Sequence, residues 1–286
     1  MNPARLRPFP VSVVALGPGS QGDEAPAYLP LPSMATFAAP RLPDDAAPQT
    51  VAAAARLLGA YLERLGEEGF AGGTQLDLLP LDAGQREVIT QSLGFGELSA
   101  FTTAPQHWRV QETAFAGLWR VLQLADDGDV RVDRLETGPI PPVLGQMMAA
   151  NARIGLAPPD YPPGTMNAPA LVEEIRQQAA AWRPGQPAHV INLTLLPVSE
   201  ADLDTLYGWL GHREVALLSR GYGNCRITST RLANVWWVQY FNSMDTLILN
   251  SLEITAMPEV ALAAEEDFAD TTQRLGEYLD LLAEPV

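Results

Sequence analysis

Few residues in this chain are of a type and spacing suited to chemistry. Its one cysteine, Cys225, lies in Gly221-Tyr222-Gly223-Asn224-Cys225-Arg226, with Arg220 before it and Arg231 after it. A thiol becomes reactive in an electropositive, partly exposed setting, which these arginines could supply. A nucleophile also needs a base. The histidines are His107, His189 and His212. An extended strand over residues 214–220 would put His212 roughly 20 Å from the thiol. The other reading of Cys225 is a small buried residue opening a strand. The glycines beside it have two readings as well: a plain hairpin turn, or a turn that lets a partner's backbone come close. No catalytic residue is assigned.

Gly17-Pro18-Gly19-Ser20-Gln21-Gly22 has the spacing of a dinucleotide-binding turn. That turn needs a helix directly behind it to receive the pyrophosphate. Here Asp23-Glu24-Ala25-Pro26 follows, so the string is read as a turn and no cofactor is expected. In the aromatic run 236–241, Trp236, Val238 and Tyr240 share one face of a strand, and Trp237, Gln239 and Phe241 the other. The Trp236 face is expected to be core. Trp237 and Phe241 are expected at a contact with the other half of the chain or with a partner. Glu259, Glu265, Glu266, Asp267 and Asp270 lack the loop spacing that gathers carboxylates around a cation, so a solvated helix face is expected and no metal.

The counts exclude further chemistry. All 18 basic residues are Arg, against 34 acidic residues and a net charge of -16. Without Lys there is no Schiff base and no phosphate-loop lysine. One Cys makes no internal disulfide, no redox pair and no self-contained iron–sulfur cluster. The charge opposes binding to nucleic acid or an anionic membrane. No apolar run reaches the roughly 18–20 residues of a membrane span, and residues 11–16 are too short for a signal peptide. A cytoplasmic protein is expected.

The elements that must position these residues follow from periodicity. Residues 1–49 carry ten of the 25 prolines and should be extended, draped over a surface. Leu57, Leu58, Tyr61, Leu62 and Leu65 are spaced for a helix capped by Thr50 and ended by Gly66 and Gly69. A strand at 74–79, a helix capped by Asp82 and four strands between 98 and 135 follow. Residues 145–168 read as a linker broken by Ala157-Pro158-Pro159-Asp160-Tyr161-Pro162-Pro163. A helix from Pro169, with Glu173 and Glu174 in its first turn, opens the second half.

That half repeats the first. A shift of 117 positions without a gap sets Leu76, Leu78, Leu79 and Pro80 on Leu193, Leu195, Leu196 and Pro197. The same shift sets Leu93-Gly94 on Leu210-Gly211, Arg109 on Arg226, and Trp119 on Trp236, with Arg120 under Trp237. The expectation is an α+β protein of two related α-β-α-ββββ halves with approximate two-fold symmetry, antiparallel meander sheets and flanking helices. Its segments are 1–49, a first repeat at 50–144, the linker at 145–168, and a second repeat at 169–286 that ends in an acidic amphipathic helix.

Three strings carry a resemblance: Gly-Tyr-Gly-Asn-Cys-Arg-Ile-Thr-Ser-Thr at 221–230, Asn-Val-Trp-Trp-Val-Gln-Tyr-Phe-Asn-Ser-Met-Asp-Thr-Leu-Ile-Leu at 234–249, and Pro-Glu-Val-Ala-Leu-Ala-Ala-Glu-Glu-Asp at 258–267. They resemble the HupH/HyaF hydrogenase expression/formation proteins, as does Leu16-Gly-Pro-Gly-Ser-Gln21 with Tyr28-Leu-Pro-Leu-Pro32. The resemblance implies a non-enzymatic accessory chaperone in maturation of uptake [NiFe] hydrogenase. Its implied partners are the immature iron–sulfur small subunit, with or without its twin-arginine signal peptide, and other maturation factors. It implies no catalytic residue. The surface proposed from the signature itself is Arg220, Gly221, Tyr222, Gly223, Asn224, Cys225 and Arg226, with Trp237 and Phe241. The competing readings are an iron–sulfur or thiol-handling factor acting through Cys225 with a partner, and an uncharacterised enzyme.

Overall fold

The computed structural model describes residues 37–41, 43, 45–102, 107–151, 153–211, 215–220 and 224–283. In chain order the elements are α1 (Pro48–Glu68), β1 (Gln75–Asp77), α2 (Ala83–Leu93), β2 (Leu98–Thr102), β3 (His107–Glu112), β4 (Leu118–Leu124), β5 (Val130–Thr137) and α3 (Pro142–Asn151). They continue with α4 (Ala168–Ala181), β6 (His189–Asn192), α5 (Glu200–Leu210), β7 (Val215–Ser219), β8 (Asn224–Ser229), β9 (Val235–Phe241), β10 (Leu247–Ile254) and α6 (Glu265–Ala283). The fold is α+β, with antiparallel strand pairing throughout the named ladders.

The chain forms two compact units. One gathers Ala35–Met147, Glu214–Cys225 and Glu259–Val286; the other gathers Met148–Arg213 and Arg226–Pro258. The division falls inside β8, so the units do not coincide with the two stretches of repeated sequence.

In the first unit the strands run β1-β5-β4-β3-β2-β7. Its core joins Leu58, Tyr61 and Leu65 of α1 to Val88, Ile89 and Leu93 of α2, to Leu118 and Leu135 of the sheet, and to Phe268, Leu275 and Leu279 of α6. The α6 positions recur at helical spacing, so Glu265, Glu266, Asp267, Asp270, Glu277 and Asp280 fall on the exposed side. The acidic run is thus the solvated helix face that its composition suggests. Asp82 caps α2 in a reciprocal capping box with Gln85, as its sequence signals. Thr50 is not the cap of α1. The helix starts earlier, with Ala47 as N-cap and Pro48 in its first turn, where a missing N–H costs nothing. Gly66 lies inside α1, and Gly69 at φ +70° ends it.

The N-terminal segment does lie on a surface where it is described. Ala38 exchanges two backbone hydrogen bonds with Phe95 (2.9 and 2.8 Å), and the carbonyl of Arg41 accepts from the Tyr278 hydroxyl. This crossing requires Gly94. A Cβ there would stand 2.2 Å from the Ala38 carbonyl oxygen, and φ is +59°.

In the second unit the strands run β8-β9-β10-β6. One apolar core takes in Leu171, Val172 and Ile175 of α4, Leu203, Leu206 and Leu210 of α5, and Trp237, Leu252 and Ile254 of the sheet. Glu173 and Glu174 fall past the first turn of α4, which starts at Ala168. Its acidic cap comes instead from α5. One carboxylate oxygen of Asp202 accepts from the N–H groups of Met166, Asn167 and Ala168 at 2.8, 2.9 and 2.8 Å. The other accepts from the N–H and hydroxyl of Ser199, both at 2.9 Å. A single buried carboxylate therefore serves the N-termini of two helices. At the far end of α5 the Arg231 guanidinium donates to the carbonyls of Gly208, Trp209 and Leu210.

Positions 117 apart share local structure. Trp119 donates its indole N–H to the Gly138 carbonyl and Trp236 to that of Thr255. The hydroxyl of Thr113 donates to the carbonyl of Phe115, and that of Thr230 to Leu232. Within the first unit β2 pairs with β7 from Leu98↔Ser219 to Thr102↔Val215, and Ala100 faces Leu217, the residue 117 positions on. The ungapped register fails at one place. Leu76 pairs with Leu135, whereas Ile191, not Leu193, pairs with Leu252. The structural counterpart of buried Leu78 is accordingly Leu193, and Leu195 is 80% exposed. Two more residues separate β6 from the cap of α5 than separate β1 from the cap of α2, which moves the leucines off the expected match.

Burial by itself would raise the Asp202 pKa, but the hydrogen bonds from Ser199, Ala168 and Met166 outweigh it and hold the group down at about 2. A depressed folded pKa stabilises above the unfolded value and loses that contribution as pH falls through about 2. Asp202→Ala should cost about 2–4 kcal/mol at neutral pH. Urea unfolding of wild type and variant should show that gap intact at pH 5 and above, narrowing between pH 4 and pH 2.

Candidate functional site

The signature segment is approached by β7. Leu98 pairs with Ser219, and the Arg220 N–H donates to the Glu97 carbonyl at 3.1 Å, so the ladder holds the chain as far as Arg220. Gly221, Tyr222 and Gly223 lie outside the described residues, as does His212. Arg220, Asn224 and Arg226 are half-buried. Cys225 is 3% exposed, which fits the packing reading and not that of an accessible thiolate. The Gly17–Gly22 string also lies outside the described residues.

The Arg226 guanidinium stands 4.7 Å from the centroid of the Phe241 ring, a cation–π geometry. Phe241 itself is buried. Trp237 is 1% exposed and belongs to the core of its own unit, stacked on Tyr207 with centroids 4.0 Å apart. Neither aromatic ring presents a surface for a partner, and Trp237 packs in its own unit rather than at a contact with the other half. The sheet has two covered faces around β9: Trp236 and Trp237 are both buried although they point opposite ways.

A polar network that the sequence did not announce lies behind Trp237. Its indole donates to Asn250 Oδ1 at 2.6 Å, and Gln239 Nε2 donates to the Tyr207 hydroxyl at 3.2 Å. Burial pushes the Tyr207 hydroxyl up to about 12 against the pull of its hydrogen bonds with Asn250 and Gln239. These side chains are mutually satisfied, so the network orients the core rather than offering a reactive group.

Glu112, at the end of β3, is half-buried. Burial pushes its carboxyl up to about 7; hydrogen bonds from Leu98 and Gly117 oppose this, and Glu97 and Asp267 add to it. A carboxyl at that value has the affinity of an acid–base group. Its named neighbours supply no nucleophile. Among the described residues, no group of three His, Cys, Asp or Glu is arranged to hold a metal ion. His189 pairs with Glu174 at 2.8 Å and His107 with Asp126 at 3.6 Å, both far along the chain from Cys225.

The profile described as "HupH hydrogenase expression protein, C-terminal conserved region" matches residues 51–151 and again 165–282. The chain belongs to the HupH hydrogenase expression protein family. The hydrogenase expression/formation protein HoxQ of Cupriavidus necator is 42% identical over 278 residues, covering 96% of this chain and 98% of that protein. HupH of Rhodobacter capsulatus is 42% identical over 280 residues, with the same coverage. The hydrogenase-1 operon protein HyaF of Escherichia coli is 36% identical over 286 residues, 94% of this chain and 96% of that one. A solved HupH from Thiobacillus denitrificans is 26% identical, with a TM-score of 0.35, over 39% of this chain and 92% of that chain. No described helix is long and apolar enough to cross a membrane.

Two measurements check the site. Native Cys225 should label with a small thiol reagent about a hundredfold or more slowly than the urea-unfolded chain, because it must wait for local opening. Comparable rates would place the thiol on the surface. For Glu112, a folded pKa above the ordinary carboxylate value gives stability that is present at acid pH and lost as pH rises through about 7. Glu112→Gln should therefore gain stability relative to wild type between pH 5 and pH 8, on the order of 2–3 kcal/mol, read by urea unfolding at each pH.

Proposed function

We propose that this protein is a non-enzymatic accessory factor in the maturation of an uptake [NiFe] hydrogenase, which holds the immature iron–sulfur small subunit before export. The observation that carries the reading is similarity along nearly the whole chain to proteins named for hydrogenase expression and formation, at 42% identity. A hydrogenase-directed role is the coarser part of this reading; the small subunit as its object is the finer part. The net charge of -16 suits a partner with exposed positive charge, such as an arginine-bearing signal segment. Arg220, Asn224 and Arg226, half-buried in the signature segment, are the proposed contact residues.

We further infer that the chain arose by duplication, with repeats at 50–144 and 169–286 joined by a linker at 145–168. Supporting this are the double match of one family profile, the shared tryptophan and threonine hydrogen bonds 117 residues apart, and the pairing of β2 with its own counterpart β7. The register of that ladder is the local two-fold relation expected of duplicated strands. Burial of Cys225 weighs against an iron–sulfur or thiol-handling role shared with a partner, since the partner's ligands would have to reach the sulfur.

The test is affinity capture from cells that make the hydrogenase subunits. The tagged full chain should bring down the small subunit, with its signal peptide or without it, and Arg220→Ala/Arg226→Ala should capture less. Capture of no hydrogenase component by the wild-type chain refutes the reading.

A further inference from the structure

The stretch between α3 and α4 is left unexplained by the hydrogenase reading, and its residues 152–164 lie between the two matched segments, outside both. Residues 155–162 form neither helix nor strand. Pro158, Pro159, Pro162 and Pro163 fix their own φ and drive Ala157, Pro158, Tyr161 and Pro162 toward the extended region. Four prolines in six residues therefore dictate a polyproline-type course.

This strap is not loose. Its entry is tied by the Arg153 N–H to the Arg231 carbonyl (3.1 Å) and by the Ala233 N–H to the Arg153 carbonyl (2.9 Å). Arg176 donates to the Leu156 carbonyl at 3.0 Å, Trp209 donates its indole N–H to Ala157 at 2.8 Å, and the Leu156 side chain packs against the core. At its exit the Gly164 carbonyl stands 3.1 Å from the Ser199 hydroxyl oxygen, and Asp202 takes the Met166 N–H. Between these anchors the strap presents apolar groups to solvent: Ile154 is 90% exposed, Met166 74% and Tyr161 40%. Asp160 is the one charge from 154 to 166.

The chemistry narrows what covers it. Four residues have no N–H, so the strap cannot extend a β-ladder, and strand addition is excluded. It cannot become a helix for a groove. What remains is recognition of Pro159-Asp160-Tyr161-Pro162 as proline rings and a phenol stacked in an aromatic-lined groove, with a cationic group near Asp160. Because the strap is held extended before it binds, the ordering cost of association is small.

We propose that residues 154–163 are a pre-formed proline-rich docking strap, received by an aromatic-lined, positively rimmed groove on the hydrogenase small subunit. This rests on the function proposed above and names the surface that serves it. The experiment is quantitative capture of the small subunit by the full chain, wild type against Pro159→Ala/Tyr161→Ala/Pro162→Ala. Ile248→Ser, an exposed apolar site elsewhere, is the control. The strap variant should retain the wild-type unfolding midpoint and lose about tenfold or more in capture, as expected for an aromatic anchor; the control should lose none. A peptide of residues 153–167 in excess should displace the subunit from wild type, which tests the strap even where the variant folds poorly. Wild-type capture that is left within twofold by the variant and untouched by the peptide overturns the strap and spares the function. No capture by wild type overturns the function, and the strap's assignment to that subunit with it.

Discussion

The ladder between β2 and β7 is the constraint on which the rest of the structure depends. It joins Leu98–Thr102 to Val215–Ser219, residues more than a hundred positions apart. Such long-range pairing is slow to form, because the loop must close before the ladder contributes anything. Once formed, it gives β2 a neighbour on each side, with β3 on the other, so β2 is not an open edge. It also carries the chain up to the signature segment, since the same register that pairs Leu98 with Ser219 sets the Arg220 N–H on Glu97. Arg220 is thus held by its main chain, and the Arg226 guanidinium by the ring of Phe241.

Polar groups drawn wholly or partly out of solvent divide into two kinds with different consequences. Asp202 and the Tyr207–Trp237–Gln239–Asn250 group are satisfied from several directions, and they fix helices and aromatic rings in one arrangement. Glu112 has fewer donors and two acidic neighbours, so its charge is held at a disadvantage. An isolated acid of this sort marks an active site only where a nucleophile or ligand converges on it. The groups named around Glu112 are carboxylates and backbone amides.

Local signals were legible in the sequence to the degree that their physics is local. Asp82 with Gln85 caps a helix because donor and acceptor lie three residues apart. The four strands from 98 to 137 are bounded by turn residues, and they formed where alternation put them. Thr50 misled because Pro48 is the stronger helix-start signal. The register of β6 misled because a two-residue difference in a loop leaves the string Leu-x-Leu-Leu-Pro intact while the hydrogen-bonded leucine changes. Trp237 misled because alternation assigns a residue to a face but does not say what covers that face.

By itself the sequence determined the class of fold, the helix faces of α1 and α6 and the family resemblance, all of which are carried by composition, periodicity and strings of adjacent residues. It also marked residues 157–163 as a break between helices, since proline sets φ and cannot continue a helix. Only the tertiary structure decided that Cys225, Trp237 and Phe241 are enclosed, that one aspartate of α5 caps α4 as well, and that β7 joins the unit of β2 rather than that of β9. Those outcomes depend on which distant surfaces meet, and burial is a property of that meeting.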